Sequence, residues 1–223
     1  HSDTESQLMK ILITGTNRGI GAALTKQYSA DGQPVIGTAR GNAPEGGCVL
    51  DVTDPASVAG LAAHLDSAPL YLLVCNSGVY LDKGANLDTG YPAECWAQTF
   101  AVNVTGVFAT IQTLLPNLQA ARGKIAIISS VMASDAQAPG GSYIYRASKA
   151  AVLNLGRNLA VDLRPRGVAV GIYHPGWVQT DMGGGGANVT QEASAHGLVA
   201  RFEALSLQTS GVFEAYDGSP IPF

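Results

Sequence analysis

Short apolar runs and helical patterns alternate along almost the whole chain, and this alternation limits the fold more than any other feature. Runs such as 10–14, 35–39 and 124–128 are each followed by a stretch with helical periodicity, and the pattern repeats six times. Strands separated by helices pair in parallel, and the helices then cover both faces of the sheet. The sequence therefore predicts an α/β, single-domain Rossmann fold with a doubly wound, mostly parallel sheet of about seven strands.

The predicted elements follow directly from these patterns. The strand candidates are residues 10–14, 35–39, 48–50, 70–75, 124–128, 168–173 and 212–216. The helix candidates end near residue 30 or span 55–66, 92–118, 143–164 and 191–205. Because proline removes a backbone donor and clashes with the preceding turn, we expect the helix over 92–118 to be broken or kinked near Pro116.

Composition indicates one large domain over residues 9–223. Hydrophobic residues make up 46% of the 223 residues and charged residues 13%, with 27 glycines for tight turns. A net charge of −4 without a block of like charges argues against nucleic acid as a partner. Cys48, Cys75 and Cys95 lack metal-ligand spacing, so the sequence predicts reduced thiols, no metal site and a cytoplasmic protein.

Residues 1–8 are polar and precede Met9 and the first apolar run. We expect them to be a disordered leader or a tag remnant. No run approaches the ~20 apolar residues that span a bilayer, so the sequence predicts no membrane association.

A glycine-rich turn joins the first strand to the first helix. Glycines let the backbone approach a ligand closely, and the first amides of a helix bind phosphate. Spaced glycines also occur in ordinary tight turns, but the preceding strand and following helix favour a nucleotide site. The candidate cofactor residues in this turn are Gly15, Asn17, Arg18, Gly19, Ile20 and Gly21.

Arg40 ends the second strand, where a dinucleotide fold meets the adenosine ribose. A carboxylate there suits the 2′-hydroxyl of NAD, whereas a guanidinium suits the 2′-phosphate of NADP. Arg18 is expected on the same side, so the two arginines favour NADP(H), with NAD(H) as the other possibility. Each arginine taken alone also fits an ordinary solvated side chain.

Polar residues follow two further strands at the same edge of the sheet. Asp51 and Val52 follow the third strand, where the carboxylate suits an adenine amino group but equally suits a helix cap. Asn76, Ser77 and Gly78 follow the fourth strand. All five are candidate cofactor contacts, because open α/β sheets bind ligands at the carboxyl ends of their strands.

Tyr145 and Lys149 lie four residues apart in an apolar-faced helical pattern. This spacing points both side chains into the same space. A nearby cation favours the tyrosinate, so we expect Lys149 to lower the pKa of Tyr145 toward acid–base service. The same pairing occurs on many solvated helices, so other motifs have to support a reaction centre.

A glycine-rich stretch follows the sixth strand and its Pro175-Gly176 pair. Residues 183–186 are four consecutive glycines. Glycines beside a ligand-binding edge are typical of a lid that closes over the site, and we expect a substrate loop over about 181–190. A plain surface linker is the alternative.

Four of these motifs, in this order, resemble those of the short-chain dehydrogenase/reductases over residues 9–223. Residues 14–21 resemble the family's cofactor turn, and 76–78 its Asn-Ala-Gly motif with serine in place of alanine. Residues 145–149 resemble its Tyr-x-x-x-Lys signature, and 175–180 its Pro-Gly motif. Residues 140–149 and 216–223 are also similar to the subgroup of C-factor proteins and sniffer-like carbonyl reductases.

The resemblance implies an NAD(P)(H)-dependent oxidoreductase that transfers a hydride between nicotinamide and a ketone, aldehyde or secondary alcohol. It implies that Tyr145 is the general acid/base, that Lys149 binds the nicotinamide ribose, and that Asn103 connects Lys149 to solvent through a water. From the residues alone, Asn103 equally suits a satisfied structural amide. The residues expected to hold the nicotinamide side are Pro175, Gly176, Val178 and Thr180.

The catalytic serine departs from the family's spacing. The family usually places it thirteen positions before the tyrosine, which falls on Met132 in this chain. Ser130 lies fifteen positions before Tyr145, and we assign it to the carbonyl oxygen of the substrate. Ser129 and Ser134 are the alternatives.

The sequence leaves two other functions open. One is a nucleotide-binding signalling or regulatory protein of C-factor type with incidental redox activity. The other is a nucleotide-sugar epimerase or dehydratase, which is disfavoured because little chain follows Thr180.

The substrate and the assembly are less constrained. Met132, Tyr143, Trp177 and the 183–190 loop suit an apolar pocket for a hydrophobic or aromatic carbonyl compound. The resemblance implies a homodimer or homotetramer paired through the helices that begin near residues 92 and 143, although some members of the subgroup are monomers.

Overall fold

The computed structural model describes residues 9–184 and 186–223. Seven strands form one sheet in the order β3-β2-β1-β4-β5-β6-β7, and every pairing between them is parallel. The strands are β1 (Ile11–Ile13), β2 (Val35–Ala39), β3 (Cys48–Val49), β4 (Leu72–Cys75), β5 (Lys124–Ile128), β6 (Ala169–His174) and β7 (Phe213–Ala215). The predicted doubly wound parallel sheet is confirmed.

Helices connect the strands in the predicted order. They are α1 (Gly19–Ala30), α2 (Pro55–Leu65), α3 (Ala93–Phe100), α4 (Gly106–Ala121), α5 (Tyr143–Leu163) and α6 (Gln191–Ala204). A π-helical segment (Ala101–Thr105) joins α3 to α4, and 3₁₀ turns cover Val131–Ala133 and Arg164–Arg166.

Apolar side chains bury both faces of the sheet. On one face, Leu61 of α2, Leu114 of α4 and Val152 of α5 belong to one core cluster. On the other face, Leu24 of α1 and Phe202 of α6 belong to a second cluster. Burying each large apolar side chain contributes about 1.5–3 kcal/mol, so the two layers hold the strand ends in fixed positions.

The chain reverses its direction of winding between β1 and β4. Strands β2 and β3 extend the sheet on one side of β1, and β4 to β7 extend it on the other. The loops after β1 and β4 therefore separate and leave a crevice at their carboxyl ends, which is where open α/β sheets bind ligands.

Of the predicted break or kink near Pro116, the break does not occur. Pro116 lies inside α4, which continues to Ala121. Leu114 and Leu118, on either side of it, are fully buried, and this packing holds the helix through the proline. The irregularity lies instead in the π-helical segment Ala101–Thr105, which contains Asn103.

The continuous helical stretch Ala93–Ala121 is the one part of the described chain with the length and composition of a membrane span, at a mean hydropathy of 1.2. By length and composition alone, this stretch departs from the expectation that no part of the chain approaches a membrane span. In the structure α4 packs against α2 and β4, as a core helix does.

Candidate active site

The turn after β1 forms a close-fitting cradle. A Cβ atom on Gly21 would overlap the Gly15 carbonyl oxygen and lie 2.7 Å from Asn76 Nδ2, and one on Gly15 would lie 3.0 Å from Ser77 Oγ. Helix α1 has no side-chain cap and no acidic residue in its first turn. Its first amides therefore face the crevice without a side-chain partner, and the site fits the phosphates of a dinucleotide.

The segment after β6 meets the other end of this turn. A Cβ atom on Gly19 would lie 3.7 Å from Thr180 Cγ2, and Arg18 lies 3.8 Å from the Asp181 carboxylate. Both members of this ion pair are exposed, as is Asn17, while Ile20 is half-buried. The candidate residues of the glycine turn and Thr180 thus border one cleft.

Asn76, Ser77 and Thr14 join the loops after β1 and β4. The Thr14 hydroxyl accepts hydrogen bonds from the Asn76 and Ser77 amides, both at 3.0 Å. The Asn76 side-chain amide donates to the Thr14 and Gly15 carbonyls, both at 3.1 Å. These bonds fix the shape of the cradle, so Asn76 supports the site through the backbone it holds.

Arg40 and Asp51 lie on the far side of the same edge. Arg40 is exposed at the end of β2. Asp51 accepts hydrogen bonds from the Thr53 hydroxyl at 2.7 Å and the Thr53 amide at 3.0 Å. These bonds, with a smaller contribution from the charge of Arg40, lower the pKa of the Asp51 carboxyl. Val52 packs beside Gly106.

Tyr145 and Lys149 are both buried on α5, and Lys149 Nζ lies 5.7 Å from the centre of the Tyr145 ring. Burial raises the pKa of Tyr145 to about 12, although the Ser130 hydroxyl acts in the opposite direction. Burial also lowers the pKa of Lys149 to about 8. The expected depression of the Tyr145 pKa is therefore wrong for the cofactor-free protein, because loss of solvent outweighs the effect of the Ser130 hydroxyl.

The three candidate serines have different partners. The Ser129 hydroxyl donates to the Lys149 carbonyl at 3.3 Å, and the Ser134 hydroxyl donates to the Pro222 carbonyl at 2.6 Å. Ser130 lies two residues after the end of β5 and accepts a hydrogen bond from the Met132 amide at 3.1 Å. Its hydroxyl also lowers the pKa of the Tyr145 phenol. Of the three, Ser130 is the serine that faces the phenol.

Asn103 is buried and fully hydrogen-bonded. Its Oδ1 accepts from the Val79 amide and its Nδ2 donates to the Val79 carbonyl, both at 2.9 Å. Its Nδ2 also donates to the Ser148 hydroxyl at 3.1 Å. A Cβ atom on Gly78 would lie 3.4 Å from Lys149 Nζ and 3.5 Å from Asn103 Oδ1, so the amide and the ammonium flank the same glycine. Asn103 thus fastens the loop after β4 to α5.

The segment after β6 folds back as a loop beside the cleft. Buried Val178 forms a bridge with Val189. Trp177 Nε1 donates to the Gly183 carbonyl and Lys83 Nζ donates to the Met182 carbonyl, both at 2.8 Å. Gly185 of the predicted lid lies outside the described residues. In the described part of the chain, no group of three or more His, Cys, Asp or Glu side chains has the arrangement of a metal site.

Residues 9–188 match the family model for short chain dehydrogenases. The chain belongs to the short-chain dehydrogenase family. It is 37% identical over 164 residues to the C-signal protein of Myxococcus xanthus, which covers 73% of this chain and 98% of that protein.

Two solved carbonyl reductase structures superpose over almost the whole chain. The NADPH-bound carbonyl reductase from chicken fatty liver superposes with a TM-score of 0.85 at 28% identity, covering 97% of this chain and 99% of that one. The carbonyl reductase Sniffer of D. melanogaster superposes with a TM-score of 0.87 at 28% identity, covering 97% and 100%. The predicted similarity to sniffer-like carbonyl reductases is confirmed.

The sequence patterns did not identify two residues that contact Tyr145. Tyr80 stacks on the Tyr145 ring, with ring centres 4.1 Å apart. Asp82 is buried and accepts hydrogen bonds from the amides of Ile144 and Tyr145. Both lie in the loop after β4, where no periodicity marks a buried residue.

Proposed function

We propose that this chain is a short-chain dehydrogenase that reduces a carbonyl compound, or oxidises the corresponding alcohol, with NADP(H) as the preferred cofactor. The observation that carries the proposal is the placing of Tyr145, Ser130 and Lys149 beside a phosphate-binding cradle at one edge of the sheet. A protein that only binds nucleotides has no need for these proton-handling groups at that edge.

Each of the three side chains has a distinct part in the proposed reaction. The Tyr145 phenol gives its proton to the carbonyl oxygen in reduction and recovers it in oxidation. The raised pKa keeps this phenol protonated at neutral pH. The Ser130 hydroxyl donates a hydrogen bond to the oxygen on which negative charge develops.

Lys149 is suited to hold the nicotinamide ribose with Tyr145. Its ammonium already donates to the Ile128 carbonyl at 3.2 Å, which fixes its direction at the end of β5. When bound, the nicotinamide cofactor would supply or accept the hydride. The protein's own contribution is to place the proton donor and to exclude water around it.

The cofactor preference rests on two exposed arginines. Arg40 at the end of β2 and Arg18 in the glycine turn are the cations suited to a 2′-phosphate. Arg18 forms an ion pair with Asp181, so the proposed preference for NADP(H) depends mainly on Arg40. The NADPH bound to the similar chicken carbonyl reductase supports the same preference.

We propose a hydrophobic or aromatic carbonyl compound as the substrate. Tyr143 and Trp177 are 40% and 56% exposed, although both are large and apolar. Tyr91 packs edge-on against Tyr143, with ring centres 5.1 Å apart. Exposed aromatic side chains on the segments that border the cleft favour an apolar substrate body with one polar carbonyl group.

We also propose a homodimer or homotetramer. Trp96 on α3, Phe108 on α4 and Val161 on α5 are exposed apolar side chains on the helices predicted to pair subunits. Light scattering coupled to size exclusion tests this assembly, and a monomer at micromolar concentration contradicts it.

The proposed activity is tested by screening aromatic and aliphatic ketones and alcohols by NADPH absorbance. The expected result is turnover that Tyr145→Phe abolishes while NADPH affinity stays within a few fold. Tyr28→Phe is a matched control, because Tyr28 is a buried tyrosine far from the crevice, between α1 and α6. Full activity of Tyr145→Phe contradicts the proposal.

A signalling role is the second candidate, favoured by the identity to C-signal. Complementation of a deletion strain separates the two functions. A variant that binds the cofactor but does not turn over substrate restores the wild-type phenotype only if cofactor binding is sufficient for the signalling role.

A further inference from the structure

Helix α5, which carries Tyr145, begins without a cap of its own. Gly140, Gly141 and Ser142 all have positive φ, and Ser142 makes no side-chain capping bond. The first turn of α5 contains no acidic residue. An uncapped helix leaves its first amides without partners, which is costly where they are buried.

Asp82 supplies the missing cap from the loop after β4. Its carboxylate accepts hydrogen bonds from the Ile144 amide at 3.0 Å and the Tyr145 amide at 3.2 Å. These are the second and third residues of α5, the donors that a local cap normally satisfies. The carboxylate also lies at the positive end of the helix dipole, and Asp82 is only 2% exposed.

The loop after β4 also covers one face of the Tyr145 ring. The Tyr80 ring stacks on the Tyr145 ring, and the Tyr80 hydroxyl is hydrogen-bonded to the Ser142 hydroxyl. Ser142 has a left-handed backbone with φ 48°, which is unfavourable for a residue with a Cβ atom. The contacts of Tyr80 and Asp82 stabilise this backbone conformation at the start of α5. The loop after β4 therefore fixes the position of Tyr145 in the first turn of the helix.

We propose that Asp82 is a positioning residue for Tyr145, holding the phenol in its reactive place through the amides of Ile144 and Tyr145. This inference rests on the proposed function for its catalytic meaning. It adds a residue that contacts no substrate and that lies outside the Tyr-x-x-x-Lys motif.

The charge of Asp82 also acts on the phenol. The other ionisable groups facing Tyr145 are Tyr80 from the same loop and Lys149 from α5. Burial, with a smaller contribution from the charge of Asp82, raises the pKa of Tyr91, which packs edge-on against Tyr143. The carboxylate contributes to the raised pKa of Tyr145, so its removal lowers that pKa.

The test compares Asp82→Asn and Asp82→Ala with Asp88→Asn, an exposed carboxylate in the same loop. Tyrosine labelled with ¹³C at Cζ reports the ionisation of Tyr145 in the cofactor-free protein, with its signal assigned by Tyr145→Phe. We expect the Asp82→Asn signal to move and to begin titrating at lower pH than in the parent, while Asp88→Asn follows the parent.

Stability and kinetics complete the test. We expect Asp82→Ala to lower the unfolding midpoint by about 4 °C, as the loss of a helix cap does. We expect Asp82→Asn to lower kcat at least about tenfold with little change in KM, because a small displacement of a reacting group is costly.

A lowered midpoint with an unchanged Tyr145 signal and unchanged kcat makes Asp82 a purely structural cap and overturns the inference. If the parent turns over no carbonyl compound, the proposed function fails, but the Tyr145 signals still decide the role of Asp82. If Asp82→Ala does not fold, the isosteric Asp82→Asn carries the test.

Discussion

The ring of Tyr80 lies against the ring of Tyr145, with centres 4.1 Å apart and planes inclined by 18°. This contact covers one face of the phenol and contributes to its burial. The surroundings of the proposed acid/base group therefore depend on a loop after β4 as much as on the helix that carries it.

Removing the Tyr80 ring exposes the Tyr145 phenol to water. We expect Tyr80→Ala to lower the free energy of unfolding by about 1–3 kcal/mol and to lower the Tyr145 pKa. Tyr80→Phe keeps the stack and loses only the bond to Ser142, so it should lie close to the parent in stability. Urea unfolding measures both variants, and equal losses in the two contradict a role for the stacked ring.

The buried ammonium of Lys149 makes stability depend on pH. Its pKa falls from 10.5 to about 8, so the folded protein loses stability as pH falls from 10.5 to 8 and carries the full penalty below 8. We expect Lys149→Met to be more stable than the cofactor-free parent by ~1–3 kcal/mol at pH 7. The difference should shrink as pH rises from 8, as urea unfolding at pH 7, 8.5 and 10 would show. If the stability difference between Lys149→Met and the parent stays constant with pH, the lowered pKa of Lys149 is contradicted.

Gly21 fits a space that admits no side chain. A Cβ atom there would overlap the Gly15 carbonyl oxygen, so Gly21→Ala pushes α1 away from the cradle. We expect a loss of about 1–3 kcal/mol in stability and at least about tenfold weaker NADPH binding. Gly60→Ala in α2 is the control, because nothing lies within 4 Å of its Cβ position. Equal NADPH affinity in both variants argues against the cradle.

Arg40 should determine the choice of cofactor. We expect the parent to bind NADPH at least about tenfold more tightly than NADH, and Arg40→Asp to narrow or reverse this ratio. Arg166→Asp is the control. That exposed arginine precedes β6 and so lies at the amino ends of the strands, away from the cofactor crevice at their carboxyl ends. Fluorescence titration measures both affinities, and equal affinities in the parent contradict the role of the arginines.

Lys83 holds the loop after β6 through the Met182 carbonyl. We expect Lys83→Met to raise KM for the carbonyl substrate up to about fivefold, the effect of ~1 kcal/mol, with a smaller change in kcat. Faster limited proteolysis near residue 182 should accompany it. Lys26→Met, at an exposed position of α1, is the control. An unchanged KM in Lys83→Met shows that the bond does not hold the loop over the site.

Much of the scaffold could be predicted from local patterns. The bounds of β2 and β5 agree with the predictions to the residue, because buried parallel strands are continuous apolar runs between polar turns. The glycine turn and the Tyr145–Lys149 pair were found in the same way, since each is a short motif. The roles given to Ser130, Asn103 and the cofactor residues stay predictions.

Tertiary packing explains the errors. Pro116 does not break its helix, because Leu114 and Leu118 anchor it on both sides of the proline. The pKa of Tyr145 is raised where spacing alone predicted a decrease, because α5 is buried under Tyr80 and Asp82. Neither effect is visible in the residues adjacent to Pro116 or Tyr145 in sequence.

The sequence by itself determined the doubly wound sheet, the family and the short motifs that border the crevice, because apolar periodicity and glycine spacing are local properties. Only the tertiary structure decided which serine faces the phenol, what caps α5 and how strongly Tyr145 holds its proton. Those properties depend on burial and on contacts between residues such as Asp82 and Tyr145, which are distant in sequence and adjacent only in the fold.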